Sequence, residues 1–218
     1  SDESYLETVI FENLSEPSQK GWKLTGAITF YESPVSINKC KFMGITSEDS
    51  LNIIRSSFKI NNSLFKNGSS DFLDIDFGEG SIKNTSFIKS NNDAMDFSGS
   101  IVNIKNIRIE NAGDKGISVG EKSEVIADHI KIENSKIGIA SKDMSDIIVK
   151  NSQILNSEIG LAAYQKKPEF GSATISFLDS IITNVSEIHL IEEKSFLVLN
   201  GDKISGTQQD IMKRIYKD

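Results

Sequence analysis

An internal period of 22 residues constrains the fold of this chain more than any other feature. One apolar column, spaced at this interval, holds Leu51, Leu73, Met95, Ile117, Ile139 and Leu161. A second column, two residues later, holds Ile53, Ile75, Phe97, Val119, Ser141 and Ala163. A repeat of this length indicates stacked units, each of which buries its apolar side against its neighbours.

Each period contains three short runs in which apolar and polar residues alternate. Between residues 102 and 120 the runs are VNIKN, IRIEN and GISVG. This alternation predicts strands that are buried on one face. Hairpins would not return the same residue type to one column every period, whereas parallel strands coiled around an axis would, with turns about 4.8 Å apart. We therefore predict an all-β solenoid with three strands in each coil.

Asparagine is concentrated where the runs end. The first ladder of run ends holds Asn62, Asn84, Asn106, His129, Asn151 and Asp179. The second holds Asn67, Lys89, Asn111, Asn134, Asn156 and Asn184. Asparagine tolerates the left-handed backbone conformation of a sharp turn, and stacked amides can hydrogen-bond from coil to coil. These positions, including His129, are therefore predicted to be turns, and the insertion at residues 164–171 is predicted to be a surface loop.

The repeat, the asparagine turns and the three-strand coil together resemble the right-handed parallel β-helix superfamily, which contains pectate lyases, polygalacturonases and alginate epimerases. This resemblance covers roughly residues 30–205. The strings SEDSLNIIRS, NNDAMDFSGS and GDKGISVGEKS also resemble β-helix domains at the C-terminal end of uncharacterised bacterial exported proteins. Some of those proteins carry a CotH-type kinase domain upstream. The resemblance implies an exported bacterial protein, extracellular or at the cell surface, with an upstream domain in the same polypeptide.

The chain is predicted to divide into a β-helix over residues 1–205 and an amphipathic C-terminal capping helix over residues 206–218. In the second part, Ile211, Met212, Ile215 and Tyr216 fall on one helical face, and Thr207 is placed to cap the helix. A solenoid leaves unpaired strand edges at its ends, which must be covered. We therefore expect this helix to plug the C-terminal end.

Composition excludes several classes of function. The net charge of −7 argues against nucleic acid as the main partner. No run of 18 apolar residues is present, so a membrane span is not predicted. The single cysteine, Cys40, excludes an internal disulfide and is typical of a buried small apolar residue.

Outward positions beside the apolar columns are rich in carboxylates in the early coils. The residues that we expect to gather on one side of neighbouring coils are Asp49, Asp71, Asp74, Asp76, Asp93 and Asp96. Like charges repel and raise one another's pKa, so the cluster needs calcium, basic neighbours such as Arg55 and Lys115, or shared protons. A mainly structural role is the alternative for the turn positions Asp49, Asp71 and Asp93, because aspartate favours such positions.

In the resembled superfamily, the outer face of the first strand of each coil, here the run holding Met95, forms the polysaccharide groove. On that basis the candidate catalytic residues are Asp74, Asp76, Asp96 and Lys115. The candidate calcium ligands are Asp71, Asp74, Asp93 and Asp96. The candidate substrate-binding residues are Asp71, Asp93, Ser118, Glu121, Lys142, Tyr164, Lys166 and Lys167. Tyr164 is expected to stack on a sugar ring, with a solvated surface loop as the alternative.

The catalytic signatures of the relatives are missing. The chain has no DPHD string, no adjacent Asp-Asp pair followed by His-Gly and Arg-Ile-Lys, and no arginine in the late coils of the groove face. We therefore predict a non-catalytic module that binds a polysaccharide or another cell-surface glycan. The alternative is a polysaccharide hydrolase or lyase that uses the acidic residues, and a third hypothesis is a structural spacer.

Overall fold

The predicted coil is present in the computed structural model, which describes residues 2–216. Leu73 pairs with Met95, and Met95 pairs with Ile117, on neighbouring parallel strands. The same register continues through the pairs of Ile117 with Ile139 and of Ile139 with Leu161. Residues 22 apart in the chain therefore lie one above another along the axis of a parallel β-helix.

One side of the coil is an eight-stranded parallel sheet, which we call the front sheet. Its strands, in chain order, are Gly26–Tyr31, Asp49–Ile54, Asp71–Asp76, Met95–Ser98, Lys115–Gly120, Ile137–Lys142, Ile159–Tyr164 and Glu187–Ile191. Each of the six inner strands pairs with the strand one coil before it and the strand one coil after it, and the first and last strands are the two edges.

The other two sides of the coil form one fifteen-stranded sheet that bends around a corner. Its strands are Ser4–Glu7, Ile10–Glu12, Val35–Asn38, Lys41–Met43, Ser57–Asn61, Leu64–Gly68, Glu79–Ser90, Ile101–Ala112, Glu124–Glu133, Asp146–Lys150, Gln153–Leu155, Thr174–Leu178, Ile181–Thr183, Phe196–Leu199 and Asp202–Ser205. A short hairpin, Ser18–Gln19 with Trp22–Lys23, lies in the first coil.

The core fills the inside of the coil with stacked side chains. Leu73, Met95 and Ile117 are completely buried. On another side, Phe42 stacks on Phe65 with ring centroids 4.3 Å apart, and Phe65 stacks on Phe87 at 4.8 Å. These rings repeat at the coil spacing, so aromatic stacking adds to the apolar burial.

The predicted asparagine turns are confirmed. Every position of both ladders has a positive φ, including His129 at 57°. Side-chain amides also bond from coil to coil: Asn106 donates to Asn84 at 3.0 Å, and Asn84 donates to Asn62 at 3.2 Å. The turns are thus stabilised by both conformation and hydrogen bonding.

Buried serines form additional ladders that were not predicted from the sequence. The Gly78 amide donates to Ser100 Oγ at 2.9 Å, the Ser100 amide to Ser123 Oγ at 2.9 Å, and the Ser123 amide to Ser145 Oγ at 3.1 Å. Each of these three serines is at most 1% exposed. The hydroxyls therefore satisfy backbone groups at corners where the regular ladder is interrupted.

A C-terminal helix is present at Ile211–Ile215, but Thr207 is not its N-cap. Asp210 occupies that position with φ 54° and makes no side-chain capping bond. The helix lies on the outer surface of the front sheet, rather than over the last coil as expected. An antiparallel pair, Phe196–Leu199 with Asp202–Ser205, ends the large sheet instead. Residues 217–218 of the predicted helix are outside the described residues.

Candidate functional site

The outer surface of the front sheet, which we call the front face, consists of three columns of side chains. The first holds Gly26, Asp49, Asp71, Asp93, Lys115, Ile137, Ile159 and Glu187. The second holds Thr29, Asn52, Asp74, Asp96, Ser118, Ala140, Ala162 and Leu190. The third holds Tyr31, Ile54, Asp76, Ser98, Gly120, Lys142 and Tyr164. The front face therefore changes from acidic in the early coils to apolar in the late coils.

The structure brings the early carboxyls together around one amide. Asn52 Nδ2 lies 2.9 Å from Asp74 Oδ2 and 3.4 Å from both Asp49 Oδ2 and Asp76 Oδ2. Asn52 is only 2% exposed, and its Oδ1 has no hydrogen-bond partner within residues 2–216. The role of Asn52 as the link between three carboxyls was not predicted from the sequence.

Burial changes the protonation of this group. It raises the pKa of Asp49 to about 6, that of Asp71 to about 8 and that of Asp74 to about 9. Neighbouring carboxylates contribute to the higher pKa values of the latter two, with Asp93 acting on Asp71 and Asp76 acting on Asp74. Asp71 and Asp74 are therefore neutral acids at pH 7, which both donate and accept hydrogen bonds.

Two of the turn aspartates bond to the backbone of the next coil. Asp71 Oδ1 accepts the Asp93 amide at 2.8 Å, and Asp93 Oδ1 accepts the Lys115 amide at 2.9 Å. This ladder gives Asp71 and Asp93 a structural role, the alternative considered from the sequence. It also occupies one oxygen of each carboxyl.

Lys115 neutralises carboxylates inside the structure rather than pointing to solvent. Its Nζ lies 3.5 Å from Asp93 Oδ1 and also pairs with Asp114, and the residue is 3% exposed. Arg55, the other basic neighbour considered from the sequence, turns away and lies 5.8 Å from the Phe77 ring. Lys115 is therefore not open to a ligand in this conformation.

Lys142 marks the boundary between the acidic and apolar parts of the front face. Its Nζ donates to Ser118 Oγ at 2.9 Å and lies 3.6 Å from Asp96 Oδ1. Lys142 and Ser118 are both buried. These two candidate substrate-binding residues thus contact each other and Asp96, but little of either side chain is accessible.

The loop at residues 164–171 is fixed by a buried carboxylate. Asp143 Oδ1 accepts the backbone amides of Lys166 and Lys167 at 2.6 and 2.7 Å. The Lys167 side chain pairs with Glu121. Glu121, Lys166 and Lys167 therefore form a lateral border of the front face. The role of Asp143 in holding this loop was not predicted from the sequence.

The C-terminal segment, residues 206–216, covers the late coils of the front face. Ile211 and Ile215 are buried against the apolar outward residues Ile137, Ala140, Ala162 and Leu190. The Tyr164 hydroxyl lies 2.8 Å from that of Tyr216, and Tyr164 is 0% exposed. The expected stacking of a sugar on Tyr164 is therefore blocked while the segment is in place.

Aromatic rings are accessible at the opposite, early end. Tyr31 and Phe77 are 54% and 55% exposed. Tyr31 precedes Ile54 and Asp76 in the third column, and Phe77 directly follows Asp76. Neither ring was among the candidate residues predicted from the sequence.

Two classes of feature are absent from the part of the chain that the structure describes. No three carboxylate, histidine or cysteine side chains are arranged to hold a metal ion between residues 2 and 216. Over the same residues, no helix is long and apolar enough to cross a membrane.

Comparison with known proteins identifies the fold family. A family model described as a right-handed beta helix region matches residues 49–209, which is most of the chain. A search of curated proteins found no match. The matched residues include the front-sheet strands that carry the acidic cluster, Lys142 and Tyr164. With its stacked parallel coils, the chain belongs to the right-handed β-helix family.

Proposed function

We propose that the early coils of the front face bind a polysaccharide or another cell-surface glycan, and that the protein is a non-catalytic binding module. The observation that carries this proposal is the group of carboxyls around Asn52, of which Asp74 has a pKa of about 9. Neutral carboxylic acids both donate and accept hydrogen bonds, as sugar hydroxyls do. Such a surface suits a hydroxyl-rich ligand without requiring a charged one.

Two exposed aromatic rings support the same ligand class. Tyr31 lies in the third column, two coils before Asp76, and Phe77 follows Asp76 directly. Their exposed faces provide apolar surface beside the hydrogen-bonding groups. A sugar ring has apolar faces and polar edges, so it can use both.

Calcium is a proposed cofactor for the binding of acidic polysaccharides. Asp74 and Asp96 lie opposite each other on adjacent strands, and calcium accepts carboxylate oxygens in flexible geometry. Asp71 and Asp93 each retain one carboxyl oxygen that is not bonded to the coil backbone. An ion bound here would displace the protons of Asp71 and Asp74 and bridge the carboxylates to a uronate.

The cellular setting is proposed from the sequence resemblance alone. An exported bacterial protein with this face at the cell surface would meet glycans directly. The upstream domain and its CotH-type kinase relationship stay predictions. Fractionation of the source cells, followed by detection of the native polypeptide and its size, tests both.

Affinity electrophoresis against dextran, alginate and polygalacturonate, with and without calcium, tests the proposed binding. We expect retardation by at least one polymer, and we expect Asp74→Leu to weaken it at least tenfold. Asp146→Asn, an exposed change on another side of the coil, is the matched control and should have no effect. The proposal fails if the folded protein binds none of the polymers under either condition.

A hydrolase is the second candidate, favoured by the different environments of two facing acids. Burial raises the pKa of Asp74 to about 9, whereas the Lys142 ammonium lies 3.6 Å from Asp96. A protonated carboxyl opposite a paired carboxylate is an arrangement that general acid–base chemistry uses. New reducing ends from any of the three polymers, lost in both Asp74→Asn and Asp96→Asn, would replace the binding proposal with this one.

A further inference from the structure

The front face continues without interruption beneath the C-terminal segment. Its second column passes from Asp74 through Asp96 and Ser118 to Ala140 in one register. Asp74 lies in the open part, while Ala140 lies under Ile211 and Ile215. The covered half is therefore an extension of the surface to which we assign glycan binding.

The segment is attached to the coil mainly by side chains. Its pairing with the last front strand ends at Gln208, which accepts from the Glu193 amide at 2.8 Å and donates to the Ile191 carbonyl at 3.2 Å. After Gln208, within the described residues, the coil makes one hydrogen bond to the segment's backbone, from Lys136 Nζ to the Ile215 carbonyl. No regular ladder therefore opposes the movement of the residues that follow Gln208.

Polar groups lie beneath the segment together with apolar ones. Lys115 Nζ is 5.3 Å from the centre of the Tyr216 ring, and the Tyr164 hydroxyl bonds that of Tyr216. Lys142 is buried beside them. Opening would hydrate two ammonium groups and a phenol, which partly offsets the loss of the Ile211 and Ile215 contacts. A segment packed only against apolar residues would expose no such polar groups, so nothing would offset the loss of its contacts.

We propose that the C-terminal segment is a reversible cover, which closes the late half of the front face and competes with a glycan that extends along it. The ligand in this inference rests on the proposed function, whereas the opening of the cover does not. When the cover opens, Lys115, Lys142 and Tyr164 become additional contact residues. The front face then extends from the early coils into the late coils.

Acylation of lysine amines, read by mass spectrometry, tests the opening directly. Lys142 is protected in the closed state, and Lys83, at an exposed position on the coil, is an internal reference. We expect Ile211→Asp with Ile215→Asp to raise the Lys142 labelling rate at least tenfold. Lys213→Ala, on the solvent side, should leave it unchanged. The cover is overturned if Lys142 stays protected in the folded double variant.

A second variant separates local opening from unfolding of the whole coil. Ile139→Val weakens the core without touching the segment, since Ile139 faces inward. Local opening predicts the same Lys142 labelling in this variant as in the original protein. A rate of Lys142 labelling that rises in proportion to the loss of global stability would overturn the proposal of a reversible cover. If the double variant fails to fold, this comparison and Tyr216→Phe, which should raise labelling about threefold, decide the question.

Competition is tested with dextran, alginate and polygalacturonate on the double variant. The release of a competing segment should tighten binding of the retarding polymer at least threefold. Equal affinity of the polymer for the original protein and the double variant would overturn the proposed competition between segment and glycan. Absence of binding in both would overturn the proposed function, while the labelling result would still decide whether the segment opens.

Discussion

Asp74 and Asn52 occupy the same column of neighbouring coils, and the amide of one lies 2.9 Å from the carboxyl of the other. Within residues 2–216 the pair has no salt bridge to a cationic side chain, unlike Asp93 and Asp96 further along the front face. Protonation takes the place of a counter-ion here, since a neutral carboxyl can be buried beside other acids at lower free energy than a carboxylate.

The protonated, partly buried acids predict a free energy of unfolding that falls as pH rises. Asp71 and Asp74 have pKa values of about 8 and 9 in the folded chain, above the ordinary 3.8. Between about pH 4 and 9 the unfolded state therefore binds fewer protons than the folded state, and the free energy of unfolding decreases with pH. Chemical denaturation at pH 5, 7 and 9 should show this trend.

Asp74→Asn should flatten that pH dependence, because an amide replaces the neutral acid and cannot ionise. Relative to its effect at pH 5, we expect the substitution to raise the free energy of unfolding at pH 9 by at least about 1.4 kcal/mol, the value of one pKa unit. Asp146→Asn is the exposed control. An unchanged slope in Asp74→Asn would mean that this carboxyl is ionised in the folded protein.

Lys115→Met should strongly destabilise the chain. The change leaves the buried Asp93 carboxylate without its ammonium partner at 3.5 Å. Removal of one member of a buried pair typically costs about 3 kcal/mol or more. Lys83→Met, at an exposed position, should change the stability by less than about 0.5 kcal/mol. The midpoints of urea unfolding for the two variants check the difference, and Asp93→Asn should partly rescue Lys115→Met.

Phe65→Ala should cost about 3–5 kcal/mol of stability, because Phe65 is fully buried between the rings of Phe42 and Phe87. Phe77→Ala is the matched control, since that ring is exposed. It should leave thermal unfolding nearly unchanged but weaken glycan retardation. Equal destabilisation by the two changes would contradict the stacked core.

Ser123→Ala should cost about 1–3 kcal/mol, because it leaves the buried Ser100 amide without its acceptor. Ser57→Ala, at an exposed strand position, should be close to neutral. Calorimetry on both variants tests this expectation. A neutral Ser123→Ala would indicate that another group accepts the Ser100 amide.

The coil and its acidic cluster could be predicted because residues one repeat apart in the sequence lie next to each other on adjacent coils. Residues such as Leu73 and Met95 become neighbours once their spacing matches one turn, and the outward acids follow the same rule. The asparagine turns were predictable for a local reason, the tolerance of positive φ. None of these inferences required knowledge of a long-range contact outside the repeat.

The position of the C-terminal helix could not be predicted in the same way. An amphipathic pattern shows that Ile211 and Ile215 need an apolar surface, but it does not select one. The outward column does become apolar at Ala140 and Ala162, and this signal was interpreted as room for a sugar beside Tyr164. The burial of Lys115 and Lys142 depends on that docking, so it was missed as well.

The even spacing of the front-sheet strands has an evolutionary consequence. Each coil contacts mainly the coil before and the coil after it, so a complete turn can be duplicated or lost while the alignment of the others is preserved. Loss of one turn between Asp74 and Ser118 would place these two residues side by side. Lineages of such a protein can therefore lengthen or shorten the front face by whole coils, without a change in the packing of the interior.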